Sequence, residues 1–188
     1  MDRYIEIQIL PDPEFTSPLL MSALFSKLHR GLVDLGSGTV GVSFPDFYLE
    51  NMLGLGERLR LHGEEAQLTQ LMMKNWLTGM QDHTKTDGLA EVPAGAQHRT
   101  FFRVQAQSNP ERLRRRRMKR LGEDAEAARL SIPDDAAERL ALPYVTLSSH
   151  STGQRFPLFI NAGPLLNTPT AGSFNAYGLS QSATIPWF

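Results

Sequence analysis

The stretch from residue 3 to residue 38, RYIEIQILPDPEFTSPLLMSALFSKLHRGLVDLGSG, decides the fold class. Ile5, Ile7 and Ile9 alternate with polar neighbours, which predicts a half-buried strand that the following prolines terminate. Ser17 is the predicted N-cap of a helix, because a serine followed by a proline in the first turn is typical of a helix start. The helix predicted from there has a core-facing stripe of leucines and ends at two glycines: Leu20, Leu24, Leu28, Leu32, Gly36 and Gly38.

The rest of the first half continues the alternation of strands and helices. Apolar periodicity predicts strands over residues 39–44 and 58–62, a helix over residues 64–80 and a short strand near residues 89–92. This β-α-β-β-α-β order is that of a ferredoxin-like domain. We therefore expect an α+β protein whose first domain covers residues 1–94, with a boundary at the Pro-Ala-Gly that follows.

Residues 95–188 are predicted to form a second α+β domain, which carries an arginine-rich helix. A strand over residues 99–107 precedes this helix, which Ser108 and Asn109 would cap. Short acidic helices are expected over residues 122–130 and 134–140, and strands over residues 144–149 and 155–161.

Charge is unevenly distributed along the 188 residues, although the net charge is only −1. Residues 112–120 hold seven basic groups and no acidic one, and the remainder of the chain has 12 basic and 20 acidic residues. This concentration points to a polyanionic partner. The absence of cysteine excludes disulfides and thiolate metal sites, and the absence of a signal peptide or a long apolar run leads us to expect a cytoplasmic protein with no membrane partner.

The basic residues of the predicted helix share one face. At 100° per residue, a sector of roughly 140° holds five of them: Arg112, Arg115, Arg116, Lys119 and Arg120. A solvated surface or a localisation signal would also explain a basic patch, but like charges without anions destabilise a helix face, which favours nucleic-acid binding. Arg103 and Gln105 on the preceding strand share a face and could pair with guanine and adenine.

The chain has few options for nuclease chemistry. It lacks a His-Glu-x-x-His motif, a Walker loop and a clustered carboxylate set, so any nuclease activity should need no metal. RNA permits this, because its 2′-hydroxyl attacks the adjacent phosphate once a base such as histidine removes the proton. Composition does not choose among the five histidines: His29, His62, His83, His98 and His150.

Several long motifs in order resemble one known family, the CRISPR-associated repeat-processing endoribonucleases of subtype I-F, the Csy-type members of the Cas-six group. The resemblance runs from end to end and rests on MS (21–22) through KLH (27–29), GVSFPD (41–46), LGERLR (55–60), RVQA (103–106), SNPERLRRR (108–116), STGQ (151–154), YGLS (177–180) and PWF (186–188). It implies metal-independent cleavage of CRISPR precursor RNA at the 3′ base of the repeat stem-loop, with a 2′,3′-cyclic phosphate product and no cofactor. It also implies that the protein stays on the hairpin as a subunit of the crRNA surveillance complex.

The resemblance further implies roles for individual residues. His29 would be the catalytic base, Ser149 would hold the ribose 2′-hydroxyl and Tyr177 would orient the histidine. Implied RNA contacts are a stacking aromatic, a hydroxyl near the scissile phosphate, two base readers and the groove-binding helix: Phe156, Ser151, Arg103, Gln105, Arg115, Arg116, Lys119 and Arg120. Two residues depart from the family pattern, because Lys119 replaces an arginine and His150 replaces a glutamine.

Two other functions are compatible with the basic helix. A catalytically idle RNA-binding module would share the basic helix but would not cut. A DNA-binding regulator would bind duplex DNA tightly through the same helix.

Overall fold

The structure, a computed structural model, describes residues 1–47, 54–105, 110–132, 140–149 and 153–188. Helices and antiparallel sheets alternate along this part of the chain, which confirms the predicted α+β class. The elements are β1 (Arg3–Ile9), α1 (Ser17–Leu35), β2 (Gly41–Ser43), β3 (Arg58–Gly63), α2 (Glu65–Met72), β4 (Thr84–Thr86), β5 (Ala90–Glu91), β6 (Gln97–Arg99), β7 (Phe101–Val104), α3 (Pro110–Leu121), α4 (Ala125–Ser131), β8 (Tyr144–Ser148), β9 (Arg155–Ala162) and β10 (Ile185–Trp187).

The N-terminal sheet has the strand order β2-β3-β1-β4, and β5 pairs with the other end of β1. All of these pairs are antiparallel, with Ile5 opposite Leu61 and Ile7 opposite Leu59. The isoleucines of β1 are buried, as their alternation predicts. This is the element order expected of a ferredoxin-like arrangement.

Helix α1 buries the predicted leucine stripe against this core, together with Met21 and Phe25. Each fully buried apolar side chain contributes about 1.5–3 kcal/mol relative to exposure. Gly36 ends the helix with a left-handed φ of +67°, and its N–H donates to the Leu32 carbonyl at 3.0 Å. The N-cap is Thr16 rather than the predicted Ser17, whose hydroxyl donates to Glu57 instead.

Two elements of the first half are shorter than the sequence predicts. The predicted helix over residues 64–80 stops at Met72, because the chain turns at Asn75, which has a left-handed φ of +50°. The strand predicted near residues 89–92 is β5, which covers only Ala90–Glu91. The edge of β1 opposite β3 also pairs with β4, at Thr84–Thr86. The sequence pattern did not predict this strand.

The strand predicted over residues 99–107 is wrong as a single element. The chain changes sheets at Thr100, because β6 pairs with β10 and β7 belongs to the sheet β7-β9-β8. Strand β7 ends at Val104, and residues 106–109 lie outside the described part of the chain. Most of the acidic helix predicted over residues 134–140 also falls on residues that the structure does not describe.

The chain forms two compact units. The first contains residues 1–103 and 142–188, with the three sheets and α1 and α2, and the second contains residues 104–141, with α3 and α4. Residue 94, where the sequence predicts a domain boundary, lies inside the first unit. Among the described helices, none combines the length and the apolar character needed to cross a bilayer.

Candidate active site and nucleic-acid interface

His29 projects from the last third of α1 and is half-buried. Its neighbour Leu28 belongs to the buried stripe, so the core fixes the helix on which the imidazole is mounted. The Nδ1 atom lies 2.8 Å from the carbonyl oxygen of Ala176, in the loop before β10. A carbonyl only accepts hydrogen bonds, so this contact requires Nδ1 to carry the proton. In the neutral imidazole, Nε2 then holds the lone pair.

Tyr177 covers one face of the His29 imidazole. The two rings stack with centroids 4.3 Å apart and an interplanar angle of 22°. Phe25, one helical turn before His29 and fully buried, lies parallel to Tyr177 with centroids 6.4 Å apart. Spacing of four residues places Phe25 and His29 on the same side of α1, so the tyrosine ring packs along that side. The hydrogen bond and the stack together restrain the imidazole in rotation and in tilt.

Ser149 follows the last residue of β8 and is half-buried. Its amide donates to the Gln154 carbonyl at 2.8 Å, and the Gly153 amide donates to the Ser149 carbonyl at 2.8 Å. These two bonds join the end of β8 to the residues that precede β9. Ser151 and His150 are not among the described residues.

Strand β8 lies against α1. The Thr146 amide donates to the Ser22 hydroxyl at 3.0 Å, which satisfies a backbone donor on the free edge of the sheet β7-β9-β8. A cavity of about 560 Å³ next to this bond is lined by Tyr144 of β8 and by Ser17 and Pro18 of α1, among others.

Arg103 and Phe156, two predicted RNA contacts, lie together. The guanidinium carbon of Arg103 is 5.9 Å from the Phe156 ring centroid, and both side chains are half-buried. The Arg103 Nε is buried and has no hydrogen-bond partner among the described residues. Gln105, which directly follows β7, is exposed and belongs to the second unit.

The basic helix α3 has two distinct faces. Arg115, Arg116, Lys119 and Arg120 are exposed, whereas Leu113, Arg114, Arg117 and Met118 are half-buried. The backbone of Arg112 belongs to α3, but its side chain is not described. These four exposed cations all belong to the sector in which the helical spacing predicts a basic face.

The half-buried arginines of α3 bind α4 instead. Arg117 donates two hydrogen bonds to the carboxylate of Glu123, at 2.6 and 3.0 Å, just before α4 begins. Arg114 donates to the carbonyl of Ile132, at 2.7 Å, just after α4 ends. The Glu123 carboxylate raises the pKa of Arg117 through these hydrogen bonds. These two arginines therefore hold α4 at both of its ends.

Three other histidines differ in their surroundings. His62 is fully buried and bonded through Nε2 to the Ser43 hydroxyl at 2.8 Å, and burial lowers its pKa to about 3. His83 bonds to the carboxylate of Asp12 at 2.9 Å. Desolvation lowers the pKa of His98, whose backbone pairs with Leu166.

Sequence reasoning missed two members of the His29 environment. Phe25 had a signal, because it precedes His29 by four residues and lies on the same helix face. The Ala176 carbonyl had none, because every residue has one and only the tertiary structure selects it. In the described ranges, no group of three or more histidine, aspartate or glutamate side chains is arranged to hold a metal ion.

Comparisons with known proteins identify the family of the chain. The family model described as CRISPR-associated protein (Cas_Csy4) matches residues 4–188. The CRISPR-associated endonuclease Cas6/Csy4 of Pseudomonas aeruginosa (strain UCBPP-PA14) is 50% identical over 188 residues, which is the whole of both chains. The enzyme of the same name from Escherichia coli (strain UTI89 / UPEC) is 46% identical over the whole of both chains.

This similarity over the full length defines the class of the protein as a CRISPR-associated endonuclease. Within that class, the chain belongs to the Cas_Csy4 family. The family resemblance drawn from the sequence is thereby confirmed.

Proposed function

We propose that this protein cleaves CRISPR precursor RNA at the 3′ base of the repeat stem-loop, without a metal ion, through attack of the ribose 2′-hydroxyl. The observation that carries the proposal is the contact between His29 Nδ1 and the Ala176 carbonyl. It leaves Nε2 as the basic nitrogen of the neutral imidazole, which is the state that a general base requires.

In the proposed reaction, Nε2 of His29 accepts the proton of the 2′-hydroxyl. The 2′-oxygen then forms a bond to the adjacent phosphorus, and the bond from phosphorus to the 5′-oxygen breaks. The leaving 5′-oxygen takes up a proton, which the imidazolium returns directly or through water. The products are a 2′,3′-cyclic phosphate and a 5′-hydroxyl, with no net change in protons.

Ser149 is proposed to hold the ribose 2′-hydroxyl. Tyr144 lines a cavity with the first turn of α1, and Thr146 bonds further along the helix to Ser22, so β8 runs in the direction of α1. From Thr146 to Ser149 the chain advances three residues, and from Ser22 to His29 the helix advances seven, and each step covers about 10 Å. This spacing supports Ser149 at the level of His29.

RNA binding is assigned to both units. The exposed cations of α3 would bind phosphates along one groove of the stem, and Arg112 would extend their row. Arg103, which is half-buried beside Phe156, would read a base through its guanidinium group. Gln105 would read a second base, Phe156 would stack on the terminal base pair and Ser151 would contact the scissile phosphate. We further propose that the protein stays on the crRNA hairpin within the surveillance complex, in the cytoplasm.

Cleavage of the cognate repeat hairpin in excess EDTA tests the mechanism. We expect the wild-type protein to cut an all-RNA hairpin and to leave intact a hairpin with a single 2′-deoxy substitution at the cut site. His29→Ala should bind the hairpin but not cut it. A requirement for Mg²⁺, or cutting of the 2′-deoxy hairpin, would exclude the mechanism. Binding without any cleavage by the wild-type protein would instead indicate an idle RNA-binding module.

A further inference from the structure

The loop that contacts His29 is organised by one side chain, that of Asn175. Its Oδ1 accepts hydrogen bonds from the amides of Tyr177, at 2.8 Å, and of Leu179, at 3.2 Å. Two backbone bonds add to these: the main-chain amide of Asn175 donates to the Leu179 carbonyl at 2.9 Å, and the Gly178 amide donates to the main-chain carbonyl of Asn175 at 2.9 Å. Such side-chain bonds to amides further along the chain are the usual reason for asparagine in a tight turn.

The same turn is bound to the N-terminal sheet. The Val42 amide of β2 donates to the Gly178 carbonyl at 2.9 Å. Gly178 has a left-handed φ of +70°, and a Cβ at this position would lie only 2.3 Å from Val42 Cγ2. The turn therefore approaches β2 as closely as its backbone allows, and its far end has a fixed position relative to the core.

Both groups that restrain the imidazole belong to this turn. The Ala176 carbonyl and the Tyr177 amide belong to the same peptide group. That amide donates to the Asn175 side chain, and the ring of Tyr177 stacks on His29. The bond from the Tyr177 amide to Oδ1 restrains the orientation of the peptide between residues 176 and 177, and that peptide includes the carbonyl that contacts Nδ1. Asn175 itself is exposed, and it is linked to His29 through these two groups.

We propose that Asn175 is a positioning residue for His29, which keeps the proton on Nδ1 and the lone pair on Nε2. This proposal rests on the proposed function, in which His29 is the base. It requires an acceptor at position 175 and not an amide as such. An aspartate there retains the acceptor, and an alanine does not.

The experiment compares Asn175→Ala, Asn175→Asp and His29→Ala with the wild type in single-turnover cleavage of the repeat hairpin in EDTA, alongside hairpin affinity. We expect Asn175→Ala to cut at least tenfold more slowly with an affinity within about twofold of wild type, and Asn175→Asp to cut within about threefold of the wild-type rate. Asn167→Ala is the matched control, because Asn167 is exposed and, within the described part of the chain, its Oδ1 accepts only a side-chain bond from Gln97, at 3.4 Å.

A second measurement is independent of the rate. In the wild-type protein, the imidazole ¹⁵N resonances of His29 should report a proton on Nδ1, and in Asn175→Ala they should shift toward a mixture of tautomers. A wild-type rate and tautomer for Asn175→Ala would overturn the positioning role, as would an equal loss in Asn175→Asp. Wild-type cleavage by His29→Ala would instead overturn the assignment of the base. If Asn175→Ala fails to bind the hairpin or to fold, the tautomer and rate of Asn175→Asp decide the question.

Discussion

Arg60 lies under the ring of Phe188, with its guanidinium carbon 4.0 Å from the ring centroid, and donates a hydrogen bond to a main-chain oxygen of Phe188 at 2.9 Å. The same guanidinium is buried and bonds to Glu6 on β1 at 2.7 and 2.9 Å. Tyr4 of β1 contacts the Phe188 ring edge-on, with centroids 5.0 Å apart. The last residue of the sequence is therefore held against the first strand of the fold.

We expect Phe188→Ala to destabilise the protein by about 1–3 kcal/mol, because it removes a desolvated cation–π contact and part of an aromatic cluster. The measurement is the free energy of unfolding in urea. Phe15→Ala is a matched control, since Phe15 is 40% exposed against 36% for Phe188 but packs only edge-on against His83 among the ring contacts of the described chain. Equal losses in the two variants would show that the Arg60 contact contributes nothing.

The stack on His29 predicts that the Tyr177 ring matters more than its hydroxyl. Tyr177→Phe keeps the ring and should retain cleavage within about threefold, whereas Tyr177→Ala should lose about 10–100-fold, because the imidazole gains freedom and misplacement of a catalytic group is costly. Single-turnover rates at saturating protein measure this difference. If Tyr177→Phe is as slow as Tyr177→Ala, the hydroxyl and not the stack is what matters.

Burial of His62 predicts that acid destabilises the fold. Desolvation, with a smaller contribution from the charge of Arg60, lowers the pKa of His62 from 6.5 to about 3. Between these values the unfolded chain binds a proton at His62 and the folded protein does not, so stability falls as the pH is lowered from about 6.5 toward 3. This one group removes up to about 1.4 kcal/mol per pH unit in that window.

Urea unfolding of the wild type and of His62→Gln at pH 7, 6 and 5 tests this prediction. Glutamine does not titrate and retains a group that can bond to the Ser43 hydroxyl. The variant should therefore lose less stability than the wild type between pH 7 and pH 5. Parallel pH dependences in the two proteins would assign the acid sensitivity to other groups.

The two faces of α3 predict that neighbouring arginines differ in RNA binding. Arg116→Ala should weaken hairpin binding and reduce the slope of log K against log salt concentration by roughly one, because one phosphate contact is lost. Arg117→Ala should leave that slope nearly unchanged, because the Arg117 guanidinium already binds Glu123. It should instead lower the stability of the second unit.

Hairpin affinity at a series of salt concentrations, together with thermal unfolding, separates these two effects. Lys119→Ala provides a second exposed position and should behave like Arg116→Ala. A loss of salt dependence in Arg117→Ala equal to that in Arg116→Ala would mean that the bond to Glu123 gives way to phosphate when RNA binds.

Periodicity predicted the elements whose pattern is set locally. The isoleucines of β1 and the leucines of α1 are buried as their spacing requires, because one side of each element must meet the core. The pattern failed for β10, whose Ile-Pro-Trp is too short to show alternation. It also failed at Thr100, because a change of sheet depends on partners far along the chain and not on the residues at the break.

The candidate site divides in the same way. By itself, the sequence determined that the exposed face of α3 is basic, since a helix converts spacing into direction without any partner, and its motifs determined the family. Only the tertiary structure decided which nitrogen of His29 carries the proton. That choice depends on the Ala176 carbonyl, which the Asn175 turn and β2 bring from 147 residues away along the chain. A backbone carbonyl has no residue type of its own, so no sequence pattern marks it, and its role comes from position alone.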